Sequence, residues 1–474
     1  MSEKTILVWF RKDLRIHDNE ILLEAVRKSN FIIPVYCFDP RQFETTIYET
    51  KKTGEIRAGF LLESVNDLKL SLQKLGGDLV IKIGKPEDVL PELVKKYQVS
   101  EVYHHREVAS EETRISADVE TVLWRLKINL KHFIGHTLYH KEDLPFPIKD
   151  IPDVFTSFRK KIERDSTVRP CFQTPSSIQI PDGMESGAVP SLQDLGYEIS
   201  QQPDERAVMN FKGGETEGLK RLHYYFWDSD ALKNYKQTRN GMIGADYSSK
   251  FSPWLSLGCL SSREVYWEIK KYEKERVSND STYWLSFELL WRDYFRFMFK
   301  KHGNKFFQKA GFKGIAPEET ENQQELFELW KSAKTGIPFI DANMRELNAT
   351  GFMSNRGRQN VASFLVKDLK VNWLWGATYF EEKLIDYCPA SDWGNWAYIA
   401  GVGNDPKEYR HFNVLKQANE YDPHGDYVRL WLPEIKLITG NQIHQPWKLP
   451  AADLKNLNII LGLNYPMPIV EQVK

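Results

Sequence analysis

The chain changes its hydrophobic rhythm partway along. In its first third, short runs rich in β-branched and aromatic residues stand at 5–10 (TILVWF), 31–38 (FIIPVYCF), 78–83 (DLVIKI), 100–104 (SEVYH) and 128–134 (INLKHFI). Between them apolar residues recur with helical spacing, as at 21–28, 57–75 and 113–125. Strands alternating with helices predict a parallel sheet covered on both faces. No G-x-G-x-x-G or P-loop follows any of these strands, so the usual dinucleotide or triphosphate cradle is not expected there. Next, Pro145, Pro147, Pro152, Pro170, Pro175, Pro181 and Pro190, with Ser and Gly between them, break any regular element and predict a long surface connector. Beyond about residue 211 the strand signals stop. Helical periodicity takes over at 215–239, 261–276, 282–302, 323–333, 338–350, 355–370 and 376–387, punctuated by Gly303, Gly311, Gly314, Pro338 and Gly351. The expected organisation is an α/β domain over 1–136, a connector over 137–210 and an all-α domain over 211–474.

Length agrees with this division, because 474 residues exceed one ordinary core. No apolar run is long enough to cross a bilayer, and the N-terminus places charges directly after its first strand-like run, so the expectation is no membrane span, no signal peptide and a cytoplasmic protein. Cys37, Cys171, Cys259 and Cys388 are scattered without a C-x-x-C pair, and the histidines lack ligand spacing, so no metal site is expected. A net charge of −1 excludes a globally basic nucleic-acid binder but not a basic groove, since a phosphate backbone feels one face only.

The densest chemistry lies at 351–405, where arginines, amides and carboxylates accompany Trp373, Trp375, Trp393 and Trp396. Bulky indoles with a polar edge suit a site that stacks planar rings, so a flat redox cofactor, with a flat base beside it, is the first hypothesis. Asn355 and Arg358 fall one helical turn apart, with Arg356 turned to another face; a buried Arg358 needs a carboxylate, and Asp386 is the candidate. Upstream, Ser248, Ser249, Lys250 and Ser252 form a turn able to wrap a phosphate, or simply a capped Ser-rich loop. Glu288, Trp291 and Arg292 share one helical face, as a base-reading and phosphate-clamping set or as an aromatic stripe with a surface ion pair.

Together these segments resemble the photolyase/cryptochrome family, from VWFRKDLRIHDN (8–19) to YDPHGDYVRLWLPE (421–434). SSKFSP, ELLWRD, the long motif ending in NRGR, LIDY and GNWAYIAGVGNDP occur in the family's order, and NRGRQN and GNWAY resemble its cryptochrome DASH branch. The resemblance implies a Rossmann-like α/β antenna domain and a helical domain that binds FAD. On it, Tyr235, Ser248, Ser249, Lys250 and Ser252 look like the phosphate and ribose grip, and Arg292 like a second phosphate contact. Asn355, Arg358 and Asp386 look like the adenine and flavin contacts.

The implied reaction is light-driven, FAD-dependent repair of cyclobutane pyrimidine dimers. Glu288 would hydrogen-bond the lesion, Trp291 would stack on it, and Gln359 and Tyr398 would contact it. Tyr398 stands where duplex photolyases carry a second tryptophan; a smaller ring stacks less, which favours single-stranded DNA, looped duplex or RNA as partner. A monomer is expected. Trp396 and Trp373 match the inner electron-transfer positions, but the outer one is Thr320. Asp392, at the position facing the flavin nitrogen N5, replaces an asparagine, and Cys388 replaces a second aspartate. Glu107 and Glu111 fall near the branch's site for a methenyltetrahydrofolate antenna. Two rival functions are a blue-light photoreceptor acting through a flavin radical, and a light-independent flavoprotein that binds single-stranded nucleic acid.

Overall fold

A computed structural model describes residues 3–198, 203–407 and 410–470. Strands β1 (Thr5–Phe10), β2 (Phe31–Phe38), β3 (Val80–Ile83), β4 (Glu101–His105) and β5 (Asn129–Phe133) form one parallel sheet in the order β3-β2-β1-β4-β5. The two-residue repeat of a strand divides β1 between two cores. Leu7 and Trp9 pack with α3 (Pro86–Lys96) and α4 (Ser110–Arg125). Ile6, Val8 and Phe10 pack with α1 (Glu20–Lys28) and α2 (Glu55–Lys74), in a cluster that continues into the helical domain. Burial on both faces explains why β1 reads as an uninterrupted apolar run.

The connector departs from expectation in one place. The prolines do not break all regular structure, because α5 (Phe155–Asp165) forms between Pro152 and Pro170. Phe155, Phe158 and Ile162, at helical spacing, are buried on the domain behind.

The helical domain contains α6 (Glu215–His223), α7 (Tyr235–Thr238), α8 (Ser252–Ser256), α9 (Ser262–Glu275), α10 (Asp280–His302), α11 (Gln323–Lys331), α12 (Pro338–Thr350), α13 (Asn355–Ser363), α14 (Trp373–Lys383) and α15 (Pro389–Ala400). The single helix expected over 215–239 is broken: a wide π-type turn follows α6, and Asp230 takes a left-handed backbone before α7. The run expected over 355–370 likewise ends in a π-type turn at Phe364–Asp368. Among the described residues no helix is long and apolar enough to cross a membrane.

Polar groups just after β1 fasten the two domains. Asp18 is fully buried and accepts from Arg263 at 2.7 and 2.9 Å, from the Ser261 hydroxyl and from the Phe172 N–H at 2.9 Å. Arg15 donates to the Gly258 carbonyl at 2.9 Å, and Glu215 accepts from the backbone of Ile16 and His17 at 2.8 and 3.0 Å. From the other side, Asp293 of α10 accepts from the Leu138 and Tyr139 N–H groups, both at 2.9 Å. A buried charge that loses its partner keeps its desolvation cost, so Asp18→Ala should destabilise the chain by about 3–5 kcal/mol. Urea denaturation checks this: the midpoint should fall at unchanged slope, and a loss below about 1 kcal/mol would mean that Asp18 is not the clamp described.

Candidate functional site

A cleft of about 470 Å³ opens in the helical domain, with a smaller chamber of about 100 Å³ at its inner end. Lining the cleft are Tyr235 from α7, the turn Ser248–Ser249–Lys250 with Ser252, Glu288, Trp291 and Arg292 from α10, Asn355, Arg358 and Gln359 from α13, Asp386, and Tyr398 from α15. Asp392 and Trp396 line the inner chamber, which shares Asn355, Arg358 and Asp386 with the cleft. Trp373 lies behind that wall. It is 1% exposed, and one turn along α14 from it the missing side chain of Gly376 makes room for the Trp396 ring. Glu107 and Glu111 are elsewhere, on a second pocket of about 470 Å³ beside the carboxyl ends of the strands.

Arg358 and Asp386 form a two-pronged ion pair at 2.8 and 3.0 Å across the cleft floor. Arg358 Nε also donates to the Met353 carbonyl at 2.9 Å, which fixes the fork at the start of α13. Two buried groups stand at the start of α15. Cys388 is buried; burial pushes its thiol up, but Arg296, Arg292 and Lys12 more than reverse this and hold it below the ordinary thiol range. Asp392, one turn later, is pushed well above the usual carboxylate range, first by burial and then by the nearby Glu381 charge, with Arg358 opposing; its Oδ2 is buried without a partner.

The cleft's outer part is aromatic and cationic. Trp291 is stacked on one face by Phe155 at 3.7 Å and meets Tyr398 edge-on at 6.2 Å and 89°, so two perpendicular rings form a corner. Glu288 Oε1 takes both an ion pair from Arg239 and a 3.1 Å bond from Trp284 Nε1, which leaves Oε2 for a ligand. Burial raises the Glu288 pKa, and Arg239 restrains that rise. Arg292 is satisfied internally, by the His136 carbonyl, the Ser262 hydroxyl at 3.1 Å and the Leu255 carbonyl at 2.9 Å. Its guanidinium therefore also ties the connector's start to α8 and α9. Lys250, at φ +60°, donates to Ser248 Oγ at 3.2 Å; burial pulls its pKa well below the ordinary ammonium value.

Sequence reasoning missed several of these residues. Arg239 follows Tyr235 by one turn, a spacing that was visible. Arg356 is not turned away from the site: it lies on the cleft and donates to Gln359 Oε1 at 2.9 Å and Asn240 Oδ1 at 3.1 Å. A helical wheel fixes only where the side chain starts, and the long Arg356 side chain reaches the cleft to bond Gln359 and Asn240. Arg410 donates to the Tyr398 hydroxyl at 3.0 Å, and Phe155 reaches the site from the connector; neither had a local signal. In the second pocket, Glu107 is consumed by Arg296 at 2.8 Å and His136 at 3.1 Å, Glu111 binds Lys52 at 2.6 Å, and the unpredicted Glu112 binds Lys12 at 2.7 Å.

Two family models match the chain: DNA photolyase over residues 6–176, and the FAD binding domain of DNA photolyase over 284–474. Cryptochrome DASH of Gloeobacter violaceus is 53% identical over 471 residues, covering 99% of this chain and 94% of its own. The chain belongs to the photolyase/cryptochrome family, in its cryptochrome DASH branch. A solved cryptochrome from Synechocystis sp. PCC6803 superposes with a TM-score of 0.95 at 52% identity, covering 99% of this chain and 98% of that one. An archaeal photolyase from Sulfolobus tokodaii, solved with two FAD molecules, gives 0.78 at 29% identity, with 98% and 96% covered.

The cleft suits the FAD that this family's domain binds. Its hydroxyls and cation at 248–252 match a diphosphate, the Arg358–Asp386 fork matches a ring edge that both donates and accepts, and the orphaned Asp392 oxygen lacks only a donor. Among the described residues no cluster of three potential ligands could hold a metal. Because the raised pKa of Asp392 means that the folded chain holds its proton more tightly, that carboxyl costs stability above the unfolded value near 3.9 and nothing below it. Asp392→Asn should therefore raise the melting temperature of the cofactor-free chain at about pH 8 and leave it unchanged near pH 4. An equal shift at both pH values would show that ionisation is not the source.

Proposed function

We propose that the chain repairs cyclobutane pyrimidine dimers by light, preferentially in single-stranded DNA, with FAD held in the cleft. One observation carries this reading: the Glu288 carboxylate and the Trp291–Tyr398 corner stand on the same cleft as the Arg358–Asp386 fork, so a base at the mouth would face a ring on the floor. When bound and reduced, FAD supplies a one-electron donor driven by blue light.

The residues divide the remaining work. Ser248, Ser249, Lys250 and Ser252 would hold the phosphates and ribose with Tyr235 beside them, and Asn355, Arg358 and Asp386 would orient the flavin. Arg239 aims the Glu288 carboxylate, whose unoccupied Oε2 would accept an N–H from a damaged pyrimidine. Trp291 offers one face only, since Phe155 covers the other, and Tyr398 stands perpendicular to it. Base stacking contributes about 1–3 kcal/mol per ring, so a corner with one indole and one phenol leaves little to offset extrusion of a dimer from a paired helix. Single strands and looped duplexes avoid that cost, and RNA offers the same faces. Arg239, Arg356 and Arg410 supply cations for a phosphate backbone at the mouth.

The second pocket favours a light-harvesting antenna such as methenyltetrahydrofolate. It has planar walls in Trp9, Tyr36 and Tyr387 and carboxylates in Glu111 and Glu112 for an amino-pterin edge. One feature favours a second reading, a blue-light photoreceptor: Asp392 is a buried acid where a proton could be held beside the flavin ring.

Irradiation of the reduced protein with a dimer-containing single-stranded oligonucleotide tests the proposal. Thymines should be restored, and Glu288→Gln should cut the repair rate by at least tenfold at unchanged FAD content, in line with loss of a charge-assisted bond. Binding without repair would leave a light-independent nucleic-acid-binding flavoprotein, or the photoreceptor, in place of the enzyme.

A further inference from the structure

Thr320 removes the outer ring of the expected electron-transfer chain, and the packing around Trp396 supplies another exit. Thr320 is held near the start of α14 by its N–H, which donates to the Lys370 carbonyl at 2.9 Å, so its short side chain does occupy that neighbourhood. Trp373 is buried, its Nε1 bonded to the Lys309 carbonyl at 3.0 Å, and the ring it touches, Trp393 at 5.9 Å, is buried too. An electron vacancy that reached Trp373 would find an alcohol at position 320, which is far harder to oxidise than an indole.

A second line of rings leaves Trp396 in another direction. Trp330 of α11 lies 6.4 Å from Trp396; Phe327 follows at 5.9 Å, Trp375 of α14 at 5.4 Å and Tyr48 at 5.8 Å. Trp330 is fully buried and anchored by its Nε1 on the Val361 carbonyl at 3.0 Å, whereas Trp375 and Tyr48 are only half-buried. Tyr48 belongs to the loop between β2 and α2, so the line crosses from the helical domain to the α/β domain and ends on the wall of the interdomain pocket.

The end of the line sits where a proton can leave. A phenol that loses an electron becomes strongly acidic, and it is trapped as a neutral radical only if its proton is taken up. Tyr48 is half-buried on the pocket wall, where solvent can take that proton. Burial, then the charge of Glu319, pushes the Tyr48 pKa up, so the phenol keeps its proton at rest.

We propose that Trp330, Trp375 and Tyr48 form the path by which Trp396 is resupplied with electrons, Tyr48 being the terminal donor and solvent at the pocket the acceptor of its proton. The proposal rests on the reading that FAD occupies the cleft beside Trp396. With FAD bound in the cleft, blue light would draw one electron from Trp396 into the oxidised flavin ring. Trp330 refills Trp396, Trp375 refills Trp330 across Phe327, and Tyr48 refills Trp375. Phe327 serves as a bridge, because its ring lacks the nitrogen or oxygen that makes indoles and phenols oxidisable. Tyr48 releases its phenolic proton to solvent at the pocket, and an external thiol there returns one hydrogen atom to the tyrosyl radical.

Flash photolysis of the FAD-loaded protein in an excess of small thiol, with electron paramagnetic resonance to identify the radical, tests the path. Wild type should show a tyrosyl radical after the flash. Tyr48→Phe and Trp375→Phe, both at half-buried positions, should keep full FAD content, lose that tyrosyl signal, and slow flavin photoreduction by at least an order of magnitude. A tyrosyl signal and photoreduction rate unchanged in Tyr48→Phe and Trp375→Phe, with both lost in Trp373→Phe, would overturn the path and leave the flavin reading intact. Failure of the wild type to retain FAD would overturn both.

Discussion

The cleft depends on one ion pair, its aspartate buried and its arginine half-buried. Arg358 at the start of α13 and Asp386 in the turn before α15 lie far apart in sequence, and neither tolerates the interior alone. Their two parallel bonds remove that penalty and in doing so dock the α13 terminus against the 385–388 turn. Everything on the cleft floor inherits its position from that contact. Asn355 and Gln359 are carried by the same helix as the arginine, and Asp392 and Trp396 by the helix that follows the aspartate. A ligand with both donors and acceptors on one planar edge fits such a fork as no simple anion would.

A second constraint sets the chamber's electrical character. Asp392 has no cation of its own, since Asp386 already takes Arg358, and burial with the negative charges around it pushes its pKa well above the usual carboxylate range. Around Cys388 the balance is opposite, because Arg296, Arg292 and Lys12 outweigh burial and hold its thiol below the ordinary range. An acid pushed up and a thiol held down thus stand one turn apart on the same wall. The clamp of Asp18, Arg263 and Glu215 matters here because it brings Lys12 and the strand ends up to this wall, and it encloses the pocket on the far side.

Much of this was legible in the sequence. The strands of the α/β domain lie within two residues of the apolar runs, because these runs are too short for a helix and rich in β-branched and aromatic residues. The Arg358–Asp386 pairing followed from the cost of a lone buried guanidinium. What the sequence hid was rotation and distance. Arg356 was turned the wrong way because a helical wheel does not show how far a long side chain reaches, and α5 was lost among prolines that in fact only bound it. Phe155, Arg239 and Arg410 come to the cleft from segments with no common pattern, and the ring line to Tyr48 crosses domains. Contacts of that kind are products of packing, and periodicity cannot encode them.

The most direct test of the central claim is to ask what the Arg358–Asp386 fork holds. Purified protein reconstituted with FAD and stripped of excess should retain about one FAD per chain, and Arg358→Met, which fills the space but removes the fork, should release it while keeping the near-ultraviolet circular dichroism of the native fold. Full FAD retention by a correctly folded Arg358→Met chain would contradict the account, because the cleft floor would then not be where the flavin is held.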